Sequence, residues 1–167
     1  MKKSIEEIYQ KQLDTFSEII KNSNDPDLRD IALTASEEGL YFTSRTISKY
    51  GACVAYYVPG PIWTVHQKAI AIRNGPMTKR VFDQAEKTAR LAEKQTVKTN
   101  VGNCAKLTVE SVTAYVRSSL LRAFPSDSML YVTSWHDPIV VMVERDRQFY
   151  LLGLVMPTRP SDIKERA

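Results

Sequence analysis

The last third of the chain limits its fold more than any other stretch. Met129 to Ser134, Ile139 to Glu144 and Gln148 to Val155 are three runs rich in Val, Leu and Tyr. Arg145-Asp146-Arg147 stands between the last two as a short charged turn. Apolar, β-branched runs around such a turn predict a hairpin, and the three together predict a terminal antiparallel meander. Helical patterns come earlier in the chain. Helices first and a meander last make the expected class α+β.

Ser4 is a natural N-cap, with Glu7 three residues on to complete a capping box. Ile5, Ile8, Tyr9, Leu13, Phe16, Ile19 and Ile20 follow at helical spacing, which predicts an amphipathic helix over 5–22. Asp25 and Pro26 predict the start of a second helix, ended by Gly39 after Glu38, with Leu28, Ile31, Ala32 and Ala35 on its buried side. Residues 40–48 read as strand or helix, and 50–58 as a buried strand or short helix. Pro59-Gly60-Pro61 breaks the chain, residues 62–72 give mixed signals, and Asn74-Gly75-Pro76 is a turn. Val81, Phe82, Ala85, Ala89 and Ala92 predict a helix over 77–94, and the polar stretch Gln95 to Gly102 predicts a loop. Gly102-Asn103-Cys104 then leads into a pattern read as a helix to about Arg122, packed on the meander through Val112 and Val116.

Composition narrows the function classes. A length of 167 residues suits one domain with a real core. The net charge of +4 fits an acidic partner surface. No dense Lys/Arg stripe with interleaved aromatics marks a nucleic-acid binder. Two cysteines, Cys53 and Cys104, are too few for a disulfide scaffold and exclude paired CxxC zinc sites. No metal or cofactor is expected. No signal core and no transmembrane run is visible, which predicts synthesis in the cytosol and is compatible with specialised secretion lacking a cleaved signal.

Cys104 is the first candidate nucleophile. At a helix start, free N–H groups and the positive dipole end favour a thiolate. Next to Ala105 and Leu107 it also reads as a small buried apolar residue, the commoner fate of a lone cysteine. A cysteine nucleophile needs a histidine base and a group to orient that base. His136, before the apolar run Ile139-Val140-Val141-Met142-Val143, is the natural partner.

Gly102-Asn103-Cys104, a following helix, and a histidine at the head of a hairpin resemble the papain-like fold. More narrowly, they resemble the compact cysteine deamidases and proteases among bacterial toxins and effectors. The resemblance covers roughly residues 100–158, the core of a single domain that 1–24 would precede as a helix. It implies that Cys104 attacks a side-chain carboxamide or peptide carbonyl and that His136 shuttles the proton. The Cys104 N–H and the amide of Asn103 or Gln95 would hold the oxyanion. The chain departs from that pattern at Lys106, where such families often have an acid. It departs again at Val155-Met156-Pro157, where they place the orienting aspartate. Asp137 and Asp162 are the remaining acids nearby.

Cys53 and His66 form a second candidate pair. Tyr50-Gly51-Ala52-Cys53 with a downstream histidine is similar to the chemoreceptor deamidases and necrotizing-factor toxins, with Thr46 or Ser48 as a third polar group. A zinc deaminase is excluded by Lys106 at the glutamate position and by the lack of paired cysteines. The expectation is therefore a cysteine hydrolase acting on a protein. The alternative is a catalytically silent protein-binding module (effector, immunity or adaptor protein).

Overall fold

The computed structural model describes residues 2–22, 33–43, 47–48, 51–52, 54–66, 73–74 and 78–166. The fold is α+β, with antiparallel sheets, and the chain divides into two compact units, Met1–Val81 and Phe82–Ala167.

In the first unit, α1 (Ile5–Lys21) forms as its periodicity predicts, and the Ser4 Oγ accepts from the Glu7 N–H at 3.2 Å. The helix buries Ile5, Ile8, Tyr9, Leu13, Phe16 and Ile19. Strands β1 (Leu33–Ala35) and β2 (Gly39–Thr43) follow, then β3 (Ile47–Ser48), β4 (Gly51–Ala52) and β5 (Val54–Pro59). After them come α2 (Gly60–His66), β6 (Arg73–Asn74) and the start of α3 (Thr78–Thr88). The sheet runs in the order β6, β1, β2, β5, and β3 pairs separately with β4. Helix α1 rests on it: the Phe16 and Phe42 rings are 4.9 Å apart, and the Gln12 side-chain amide donates to the Tyr57 carbonyl at 2.7 Å. At Gly60 a Cβ would fall 1.7 Å from the Glu37 carbonyl oxygen, so only glycine fits that turn.

The second predicted helix does not reach Glu38. Leu33-Thr34-Ala35 pairs with Phe42-Tyr41-Leu40, and Gly39 opens a strand instead of ending a helix. A Ser36–Glu38 turn closed by the Ser36 N–H on the Gly39 carbonyl makes a hairpin of these residues. Pro26, Leu28, Ile31, Ala32, Thr46, Cys53, Gly75 and Pro76 lie outside the described residues.

The second unit holds the rest of α3 and β7 (Arg90–Leu91), followed by β8 (Glu93–Thr99), β9 (Gly102–Val109) and β10 (Val112–Arg117). A single helical turn α4 (Ser118–Leu121) then leads to β11 (Met129–Val132), β12 (Ile139–Arg145) and β13 (Gln148–Val155). The predicted meander is present as β11–β12–β13, with β7 on its outer edge. Asp146 and Arg147 both have positive φ, 51° and 65°, the two-residue turn whose twist matches a hairpin. Between Val141 and Met142 the register slips by one residue, a bulge at Leu152.

The cysteine-bearing helix is not there. Residues 102–117 form the hairpin β9–β10, with Glu110-Ser111 as its turn, and Gln95 to Thr99 are strand rather than loop. The cause is local. Leu107, Val109, Ala114 and Val116 are buried and alternate with more exposed residues, which is the period of a strand. Strand β8 is polar because it is an edge, where charged side chains discourage further pairing. The helix predicted to reach residue 94 stops at Thr88, since Leu91 and Arg90 pair with Tyr131 and Val132. Among the described residues no helix is long and apolar enough to cross a membrane.

Candidate functional site

Cys104 lies in the central strand of the β10–β9–β8 sheet, between Val97 and Arg117, and is 0% exposed. A central strand commits its backbone N–H groups to ladder bonds, so none is spared for an oxyanion. The Thr99 hydroxyl sits 3.6 Å from the sulfur. That hydroxyl donates to the Gly102 carbonyl at 2.7 Å and accepts the Val101 N–H at 3.1 Å. With its proton so engaged, it meets the sulfur as an acceptor, and the thiol is the donor.

The face that carries Cys104 is also crossed by the C-terminal segment. Alternation along β9 and its partners puts Thr99, Lys106 and Tyr115 on that face. The Glu165 carboxylate accepts from the Lys106 ammonium at 2.9 Å and from the Tyr115 hydroxyl at 2.8 Å. The segment is tied at both sheet edges. The Thr158 N–H donates to the Tyr115 carbonyl, the Asn100 N–H to the Lys164 carbonyl, and the Arg166 N–H to the Lys98 carbonyl. The Lys106 bond, then the Tyr115 bond, holds the Glu165 carboxyl below its ordinary value of 4.5. Lys106 is raised in turn, chiefly by Glu165, and Tyr115 is raised first by burial and then by its bond to Glu165.

His136 lies in the loop between β11 and β12, with its side chain 61% exposed. Ser134 organises that loop. Its hydroxyl donates to the Asp137 carboxylate at 2.7 Å and accepts the N–H groups of His136 and Asp137, each at 3.2 Å. The His136 Nδ1 lies 3.1 Å from the same oxygen. In a nucleophilic triad the hydroxyl donates to histidine, whereas the Ser134 hydroxyl donates to the acid. The Trp135 and His136 rings meet edge to face at 4.8 Å, and Trp135 is 45% exposed. The hydrogen bonds of the Cys104 sulfur and of the His136 ring thus go to different neighbours.

The remaining predicted residues are equally dispersed. Asn103 pairs with Lys98 on the face of β9 opposite the thiol, while Gln95 shares the thiol's face but is exposed and pairs with Lys106. Cys53 is outside the described residues, and His66 closes α2. Met156 is 37% exposed, and the Asp162 carbonyl accepts from the Asn100 side chain.

A cleft of about 510 Å³ opens within the second unit. Lys94, Thr96 and Asn103 from β8 and β9 form one wall, and Leu130 and Val141, paired across β11 and β12, contribute its apolar floor. Ser118, Leu121 and Arg122 at α4, with Phe124 and Ser128 beyond, close the rest. Sequence reading singled out none of these residues except Asn103. The cleft and the Glu165 clamp join residues far apart in the chain, and each polar member alone reads as an ordinary surface group. Comparison with protein-family models, with curated proteins and with solved structures finds no match.

Proposed function

We propose that this chain is a protein-binding module without cysteine-hydrolase activity. The observation that carries the reading is the burial of the Cys104 sulfur inside a central strand. A thiol there meets no substrate carbonyl, and its strand N–H cannot hold an oxyanion. The papain-like resemblance depends on a cysteine at a helix start, and a strand takes that place. The departures at Lys106 and Met156 point the same way.

Protein binding needs an exposed anchor, and Trp135 supplies one. Tryptophan is enriched among the few residues that dominate interfaces. Ile139 pairs with Val155, so exposed Met156 follows the strand end that the Trp135 loop precedes. Trp135 and Met156 therefore belong to the same end of the β12–β13 pair. This end suits a protein partner with an apolar pocket.

The test places a photo-crosslinking amino acid at position 156, with position 149 as a control, and identifies what is trapped. A discrete protein captured at 156, lost on Trp135→Ala and retained on Cys104→Ala, is the expected result. Loss of the partner's modification on Cys104→Ala, or native Cys104 that forms an adduct with an electrophilic substrate analogue, would overturn the reading.

A further inference from the structure

We propose that the cleft of the second unit binds a small molecule that carries a phosphate group on an apolar body. This site is separate from the Trp135 end of the meander and does not depend on it.

The charge of the lining selects the ligand. Lys94 and Arg122 both line the cleft, and no aspartate or glutamate does. Neither cation has an ion-pair partner among the described residues. The one acid between α4 and β11 is Asp127, and the Arg145 guanidinium covers both of its oxygens, at 2.7 and 3.3 Å. Glu93, beside Lys94 on β8, points to the other face of the sheet by strand alternation. The cleft is thus a region of uncompensated positive charge, and fixed cations in a concave site concentrate anions.

Hydrogen bonding points to the same class. The Ser128 hydroxyl is buried and has no partner among the described residues, although Ser128 lines the cleft. A buried hydroxyl without a partner is costly, and a ligand oxygen would relieve it. Thr96, Asn103 and Ser118 add further donors. A phosphate has three terminal oxygens able to accept from many directions, and it suits cations and hydroxyl donors gathered at one mouth. The apolar floor at Leu130 and Val141 and the Phe124 wall then call for a nonpolar body attached to it. A volume of 510 Å³ falls in the usual range for small-molecule sites, about 300–1,000 Å³.

The probe is phenyl phosphate, titrated into the ¹⁵N-labelled full chain and followed by amide shifts. Inorganic phosphate, benzoate and phenol serve as comparisons. The expected result is saturable shifts centred on residues 94–96, 103 and 118–130, with a dissociation constant below about 1 mM. Inorganic phosphate should bind the same residues more weakly, and phenol should not saturate. Arg122→Gln and Lys94→Gln should each weaken phenyl phosphate at least tenfold while leaving shifts remote from the cleft unchanged. Ser128→Ala should raise the melting temperature of the free protein and yet lower the affinity, opposite signs that a purely structural role would not give. Shifts that stay linear to ~10 mM, that map elsewhere, or that persist unchanged in the Arg122→Gln, Lys94→Gln double variant would overturn the proposal. Benzoate binding as tightly as phenyl phosphate would overturn the phosphate assignment.

Discussion

Alkylation of Cys104 is the most direct test of its placement. Iodoacetamide can reach a 0% exposed sulfur only when the β10–β9–β8 sheet opens. If opening requires unfolding of a domain stable by about 5 kcal/mol, the low end for native proteins, the thiol is exposed roughly once in 4 × 10³ molecules. Labelling of the native chain should then be slower than in urea by roughly that factor. Intact mass gives the two rates, and peptide mapping assigns them to Cys104. The same burial sets the effect of Cys104→Ala. Removing the sulfur deletes about one buried heavy atom and leaves a small void, so the loss should be about 1–2 kcal/mol. At this chain length that is a fall of roughly 2–8 °C in melting temperature. Native labelling within tenfold of the urea rate, together with an unchanged melting temperature in Cys104→Ala, would refute the reasoning and restore the thiol as a candidate nucleophile.

Deleting residues 157–167 should speed native labelling of Cys104 at least tenfold, because Glu165 crosses its face of the sheet; an unchanged rate would show that the sheet alone protects it. The Glu165 carboxyl, titrated by ¹³C NMR, should have its midpoint below 4.5 and move up toward that value in Lys106→Gln. Its folded-state value is depressed, so its contribution to stability is present above the unfolded value and is lost as pH falls through the folded one. Lys106 and Tyr115 are raised, so theirs is present below their ordinary values of 10.5 and 10.0 and is lost as pH rises through the folded values. A Glu165 midpoint at or above 4.5 would remove the clamp. Arg147→Gly should stabilise the β12–β13 hairpin by about 0.5–1 kcal/mol in a urea melt, since glycine relieves the left-handed φ of 65°; destabilisation would mean that the Arg147 side chain contributes contacts that outweigh the strain.

What could be read from residues alone was local. Ser4, Glu7 and the spacing from Ile5 to Ile19 define α1 within a few turns of chain, because capping and a 3.6-residue period act between near neighbours. The meander was legible for the same reason. Arg145-Asp146-Arg147 and the flanking Val, Leu and Tyr runs specify a hairpin without help from distant elements. The segment 102–117 shows where this stops. Its apolar residues can be placed at helical spacing or at strand spacing, and pairing with β8 decides between them. Strand β8 itself is too polar to read as a strand, because an edge strand needs only one partner and keeps its other side in water.

Elements whose period and caps lie within one local stretch followed from the residues, and with them the α+β class. The residues also supplied the groups of the site: a lone thiol, an exposed histidine beside tryptophan, and scattered cations. Where those groups lie depends on long-range pairing. Pairing with Val97 and Arg117 buried Cys104 in a central strand, and strand alternation sent Asn103 to the opposite face. Residues 59 and 50 apart met as the Lys106–Glu165 and Tyr115–Glu165 bonds, and Lys94 and Arg122 came to one cleft without an acid. The physical reason is that burial and charge pairing depend on distance in space, and in an antiparallel sheet a register shift of one residue moves every side chain to the other face.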